Sequence, residues 1–153
     1  MRKITLVVAA GIIVVMAFGC NNLNSPGTIA ADPFIGTWKM NPAKSRSSGP
    51  LPKSLTSIQT DKGFVEDGVD ADGKAFHCSW AGKNDGKDYP VVGDPDIDTL
   101  SRRWTSPNTL EYVSKKAGKE VGRGKIVVSR DGMTFTSTGS YGDGTYSDFM
   151  EKQ

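Results

Sequence analysis

Turn signals recur along this chain too closely for helices to fit between them, and that spacing limits what it can fold into. Asp72-Gly73, Asp85-Gly86, Asp94-Pro95, Pro107-Asn108, Ala117-Gly118, Asp131-Gly132 and Asp143-Gly144 follow one another at intervals of 9 to 14 residues. Asp-Gly suits tight hairpins because the central positions of such turns need positive φ. The segments between the turns alternate with period two. Phe76, Cys78 and Trp80 share one face, opposite Ala75, His77 and Ser79. Leu110 and Tyr112 lie opposite Glu111 and Val113, and Met133 and Phe135 alternate with Thr134, Thr136 and Thr138. No stretch beyond residue 32 holds a helical period over about eleven residues. The pattern predicts strands at 36–41, 54–60, 63–70, 74–81, 87–92, 98–105, 109–116, 119–129, 133–140 and 145–151. Hairpin-linked strands in this number leave exposed edges unless the sheet closes on itself. The expected fold is therefore all-β, an antiparallel up-and-down β-barrel of 8–10 strands, with an open two-sheet sandwich as the alternative. A domain of this size, residues 33–153, buries about two-thirds of its unfolded surface and needs no staples.

The first residues follow a different logic. Arg2 and Lys3 precede an apolar run from Ile4 to Phe18, closed by Gly19 and Cys20 and followed by Asn21-Asn22. A charged start, an apolar core and a small residue before a polar stretch mark a secretory signal, here residues 1–19. An uncleaved membrane anchor is the alternative, although a spanning helix needs roughly 20 apolar residues and this run is shorter. Ala17-Phe18-Gly19-Cys20 resembles the bacterial lipobox. That resemblance implies cleavage before Cys20 and lipid on its sulfur, which would place the protein in the cell envelope on a membrane. Residues 20–32, broken by Pro26 and Gly27, read as a tether. With Cys20 lipidated, Cys78 has no partner in the chain, so no structural disulfide is expected and Cys78 reads as a buried, inert thiol.

Charge narrows the partners. Arg2 and Lys3 are two of 19 basic residues, and no acid lies before Cys20, so the remainder balances 17 basic against 17 acidic side chains. Nucleic-acid binding needs clustered basic charge, and nucleic acid is not expected. No catalytic, metal or cofactor signature stands out. His77 is the one histidine and alternates away from Cys78, so the two do not form a nucleophilic pair. The acidic run Asp94-Pro95-Asp96-Ile97-Asp98 fails as a calcium loop, because Thr99 and Thr105 stand where glycine and glutamate are required. Arg102 is the suggestive residue: it shares strand parity with Leu100 and Trp104 and so projects toward the apolar side. A buried guanidinium needs an anionic partner, either a ligand carboxylate or an acidic side chain of the protein.

Asp32-Pro33-Phe34-Ile35-Gly36-Thr37-Trp38-Lys39 carries a Gly-x-Trp element that resembles the first strand of lipocalins and their calycin relatives, the fatty-acid-binding proteins among them. Over a longer span the chain resembles small exported bacterial proteins described as lipocalin-like. The shared segments are Gly36–Lys39, Asn41-Pro42-Ala43-Lys44-Ser45, Asp67–Lys74, Asp85–Val91 and the terminal Glu151-Lys152-Gln153. Asp88-Tyr89 and Arg123 are the only echoes of the other lipocalin motifs. The resemblance implies a barrel whose floor is plugged by Trp38 beside Gly36, and an interior arginine used on a ligand's carboxylate. The mouth is expected to be covered, if at all, by the Pro-, Gly- and Ser-rich stretch from Asn41 to Lys53. The expected function is non-enzymatic binding of a small hydrophobic or amphipathic molecule. Arg102, Tyr112, Trp80, Trp104, Phe76 and Phe135 are the expected contacts. A structural or interaction lipoprotein with a filled barrel is the alternative.

Overall fold

A computed structural model describes residues 32–153, which form eleven strands and no helix. The signal segment 1–19, Cys20 and the tether up to residue 31 lie outside the described residues. The strands are β1 (Gly36–Met40), β2 (Arg46–Ser47), β3 (Ser54–Thr60), β4 (Gly63–Val69), β5 (Ala75–Ala81), β6 (Asp85–Val92), β7 (Thr99–Ser106), β8 (Thr109–Lys116), β9 (Lys119–Val128), β10 (Thr134–Tyr141) and β11 (Gly144–Lys152). From β3 to β11 each strand pairs antiparallel with the next, as the turn spacing predicts. The turn chemistry is explicit between β8 and β9. Lys116 faces Lys119, and the two residues between them, Ala117 and Gly118, both have positive φ, the geometry that matches strand twist in a two-residue hairpin.

β1 closes the sheet. Trp38 sits opposite Ser57 of β3 on one side and opposite Lys152 of β11 on the other. The first half of β11 pairs instead with β2, Tyr146 facing Ser47. β1 and β2 thus behave as one strand interrupted by a turn, and the result is a closed barrel of ten staves. Closure pairs β1 on both sides, while β2 pairs with β11 alone.

Three local features depart from the sequence expectations. First, the stretch after Asn41 does not cover the mouth. Asn41 O accepts from the backbone of Lys44 and Ser45, Ser45 Oγ accepts from Phe149 N, and the chain then runs along β11 as β2. Second, Asp85-Gly86 is no hairpin turn. It opens β6, where the register with β7 shifts between Asp85 and Asp88 and Gly86 takes a positive φ, so it is a bulge. Third, Met133 does not share the inner face with Phe135. It precedes β10, its N–H donates to Asp131 Oδ1, and it stays exposed.

One end of the barrel is solid. Phe34, Trp38, Met40, Leu110, Val128, Phe135 and Met150 form its core. Trp38 is fully buried and its Nε1 donates to Phe34 O at 2.8 Å. The Phe135 ring lies 4.7 Å from that of Trp38 and 5.1 Å from that of Phe34, both edge-on. Lys152 Nζ sits 5.0 Å from the centroid of the Trp38 ring, and its stem passes where a Cβ on Gly36 would lie, 2.6 Å away. Gly36 also has φ +144°, a conformation L side chains avoid. Phe34 is held by Asp32, whose Oδ1 accepts from Phe34 N and whose carbonyl accepts from Ile35 N.

The closed hydrogen-bond circuit and the whole core fall within residues 32–153, so this segment carries its own fold. It is expected to unfold in denaturant as one cooperative transition. Trp38→Ala should lower its stability by about 3–5 kcal/mol, the range for truncating a fully buried large aromatic. A urea titration in which that variant stays within about 1 kcal/mol of the parent would show that the Trp38 cluster does not hold the floor.

Candidate functional site

Above the aromatic floor the interior opens into a cavity of about 310 Å³, at the lower end of the range for small-molecule sites. Its walls come from nearly every strand. Phe34, Phe135 and Met150 lie toward the floor, and Leu55, Phe64, Leu100 and Ile126 supply further apolar surface. Toward the mouth stand Asp94 and Ile97 from the segment between β6 and β7, with Ser140 and Tyr141 at the end of β10. Tyr141 Oη donates to Asp96 O at 3.3 Å, bridging the two sides of the rim. The wall is least continuous between β5 and β6. β5 and β6 share only the Ser79–Val92 and Trp80–Val91 pairs.

Arg102 of β7 projects inward, as its parity with Leu100 predicts, and is 4 % exposed. Its guanidinium carbon lies 4.9 Å from the ring centroids of both Phe34 and Trp80 and 5.7 Å from that of Phe64. These faces attract a cation through their quadrupoles. Its Nη1 donates to Gln59 Oε1 at 3.2 Å; Gln59 Nε2 donates to Ser57 Oγ at 2.7 Å; and Ser57 Oγ donates to Glu66 Oε1 at 2.9 Å. A buried arginine and a carboxylate are thus joined by a two-residue relay rather than by direct contact. The relay follows from strand geometry, since Ser57 and Gln59 are two apart on β3 and share its inner face. Burial pulls the guanidinium down to about 10, opposed by the charge of Glu66, so it remains a cation at neutral pH. Arg102 Nε is buried without a partner.

The carboxylates are the less settled groups. Glu66 is raised above the ordinary range by desolvation, against the Ser57 hydrogen bond and the Arg102 charge, which lower it; Asp148 adds to the rise. Asp148, on the inner face of β11, has no hydrogen-bond partner among the described residues, and burial alone pushes it up to about 6. Cys78 lies on the same wall, with its thiol 4.0 Å from Glu66 Oε2. Burial and that neighbouring carboxylate push it up to about 12, which leaves it protonated and unreactive.

Between β8 and β11 two tyrosines lean toward each other over a pair of glycines. Tyr112 sits opposite Gly124, Gly124 opposite Gly139, and Gly139 opposite Tyr146. A Cβ on Gly124 would come within 2.4 Å of Tyr112 Oη, and one on Gly139 within 2.8 Å of Tyr146 Oη. The absent side chains let the two hydroxyls meet in a hydrogen bond, with Ser137 Oγ 3.1 Å from Tyr112 Oη. Burial raises both phenols. They are neutral at any physiological pH and can both donate and accept.

Of the six expected contacts, Arg102, Tyr112 and Phe135 line the cavity, whereas Phe76, Trp80 and Trp104 do not. Trp80 is buried beneath Arg102, its Nε1 donating to Leu100 O. Trp104 packs against the floor cluster, and the Phe76 ring lies over Gly68. Arg123 is exposed and pairs with Glu120. His77 faces outward against Asp67, 2.7 Å from its Oδ1. The acids of the 94–98 run are engaged locally: Asp94 Oδ1 accepts from Asp96 N, and Asp98 takes Lys116 and the N–H of Ala117. Among the described residues no three potential metal ligands converge. Glu66, Asp148, Ser57, Gln59 and Tyr146 were not among the expected contacts. Parity held the signal, since Glu66 matches Phe64, and Asp148 matches Tyr146 and Met150. No family model matches the chain, and comparison with curated proteins likewise finds no match.

The unpartnered carboxyl gives a stability test. Asp148 keeps its proton up to about pH 6 in the folded barrel, whereas an unfolded aspartate loses it near pH 4. The folded state therefore binds more protons between these values, and stability falls as pH rises through that window. Above about pH 6 the cost of the buried charge is fully present, so Asp148→Asn should stabilise the domain by about 1–2 kcal/mol at neutral pH, allowing for partial exposure. At about pH 4 the variant and parent should coincide. Equal stabilities at both pH values, read from denaturant midpoints, would place Asp148 in water.

Proposed function

We propose that this protein is a non-enzymatic binder of a small amphipathic molecule, displayed in the cell envelope on a lipid attached to Cys20. One observation carries the binding reading: the barrel interior is filled at one end and hollow at the other. A filled core would place large side chains at the inner positions of β8 to β11. Ser114, Gly122 and Ser137 stand at such positions of β8, β9 and β10 instead and border the cavity. Small-molecule sites combine an apolar concave wall with a few placed polar groups, and this cavity joins Phe34, Leu55, Phe64, Ile126 and Met150 to Arg102, Glu66, Tyr112 and Tyr146. The Gly36–Trp38 element and the likeness to lipocalin-like exported proteins agree with a calycin-type carrier. The apolar run before Cys20 supports export and anchorage.

Native mass spectrometry of residues 32–153, purified gently from the source organism, tests this reading. A reproducible added mass, released on denaturation, is the expected result. Ser114→Phe, which sets a ring into the cavity, should abolish that mass while leaving the denaturation midpoint near that of the parent. A clean unliganded mass, with no uptake from a cell lipid extract, overturns the carrier reading and favours a barrel that only displays its surface.

A further inference from the structure

We propose that the occupant of the cavity presents an uncharged carbonyl oxygen to Arg102 Nε, so that it is a ketone, ester or amide with an apolar tail rather than a fatty acid or an amine. The inference deepens the carrier reading and rests on it. Arg102 is 4 % exposed and borders the cavity, yet only part of its donor set is met. Its Nη1 donates to Gln59 Oε1, and its guanidinium carbon lies against the rings of Phe34, Phe64 and Trp80. Its Nε is buried with no acceptor among the described residues. Ring faces attract the charge, but they do not supply the oxygen that an N–H of a charged group calls for. Buried donors of this kind are satisfied by protein, water or ligand. Asn84 Oδ1 shares the same condition, but Asn84 does not border the cavity.

The head must therefore accept a hydrogen bond, which an ammonium group does not do. Charge decides among the acceptors. Gln59 and Ser57 link Arg102 to Glu66, whose carboxylate already answers the guanidinium charge. Asp94 and Asp148 border the same cavity, with no lysine or histidine beside them. Burial pushes Asp148 up to about 6, so it is ionised at pH values well above that. A further carboxylate entering the chamber meets this repulsion and gives up its own hydration. A carbonyl oxygen accepts from Nε with neither cost. Phe34 and Phe64 flank the guanidinium and also line the cavity, so the path from the chamber to Nε runs beside their rings. Leu55, Ile126 and Met150 offer apolar wall for the tail.

The test titrates residues 32–153 at about pH 7.5 with three probes of matched length: heptyl methyl ketone, octanoate and octylammonium. The ketone carries a methyl group where octanoate carries its second oxygen, so these two differ chiefly in charge. By calorimetry the ketone should bind about ten-fold more tightly than either ion. Arg102→Lys, which keeps the charge and removes Nε, should lower ketone affinity by about ten-fold. The unaltered protein gives a second reading that stands even if that variant does not fold. Arg46, Arg103, Arg123 and Arg130 are exposed, so the arginine Nε–H resonance protected from exchange with water is that of Arg102. Adding the ketone should move this resonance downfield, as a new hydrogen bond does. A ketone that binds without moving it, or octanoate or octylammonium binding as well as the ketone, overturns the carbonyl assignment and leaves the carrier reading standing. Failure of all three probes to bind overturns both.

Discussion

The structure depends on the hydrogen bonds by which β1 joins β11. Without them the ten staves would form a curled open sheet with two long edges, and its inner face would be wet. With them, the polar groups of the interior are removed from bulk water and judged by a stricter rule: each must be paired, or its charged form is penalised. The closure is braced from within. Trp38 sits at the junction, opposite residues of both neighbouring strands, with Phe34 and Phe135 against its ring and Lys152 over it. Gly36 lets the lysine stem pass. The same cluster therefore seals the barrel and defines which end is solid.

A sealed floor and a hollow chamber follow from one distribution of side-chain volume. Large residues crowd the end near Trp38, while Ser114, Gly122 and Ser137 take inner positions of β8, β9 and β10 farther up. Gly124 and Gly139 show that these small residues were not merely left unfilled. They make room for Tyr112 and Tyr146 to lie flat against the sheet and meet. Two hydroxyls are fixed to one wall, next to Asp148, an inner carboxylate without a hydrogen-bond partner among the described residues. The polar groups are thus held by strands rather than loops, which favours a defined geometry over an adaptable one.

Much of this architecture was legible in the sequence, and the failures have a common cause. Regular turn residues and period-two patterning located every strand but β2, a two-residue element that exists only because β11 offers it an edge. Asp85-Gly86 satisfies turn chemistry and bulge chemistry equally, and only the partner strand decides between them. Arg102 could be placed inward because Leu100 shares its parity. Alternation failed on β3 and β11, where the usual sense is inverted. Ile58 faces water at 44 % exposure while Ser57 and Gln59 are buried, and Asp148 lies between the inward-facing Tyr146 and Met150. A reader who equates polar with outside discards the residues that line the chamber. Phe76 and Trp104 fail in the opposite way: both are aromatic, yet neither lines the cavity.

An inverted pattern has an energetic meaning. Placing Asp148 on the inner face is a net cost to the empty protein at neutral pH, because desolvation raises its affinity for a proton and no donor answers it. An asparagine would fill the same space without that cost. Retaining a carboxylate where folding gains nothing from it is the trade made by binding sites, in which local stability is given up for interaction with something absent from the chain. Arg102 argues the same way from the other sign. Rings and relay hold its charge, yet its Nε, buried beside the cavity, has no acceptor among the described residues. Both charges are thus held inside the barrel with part of their polar demand unmet by the described residues.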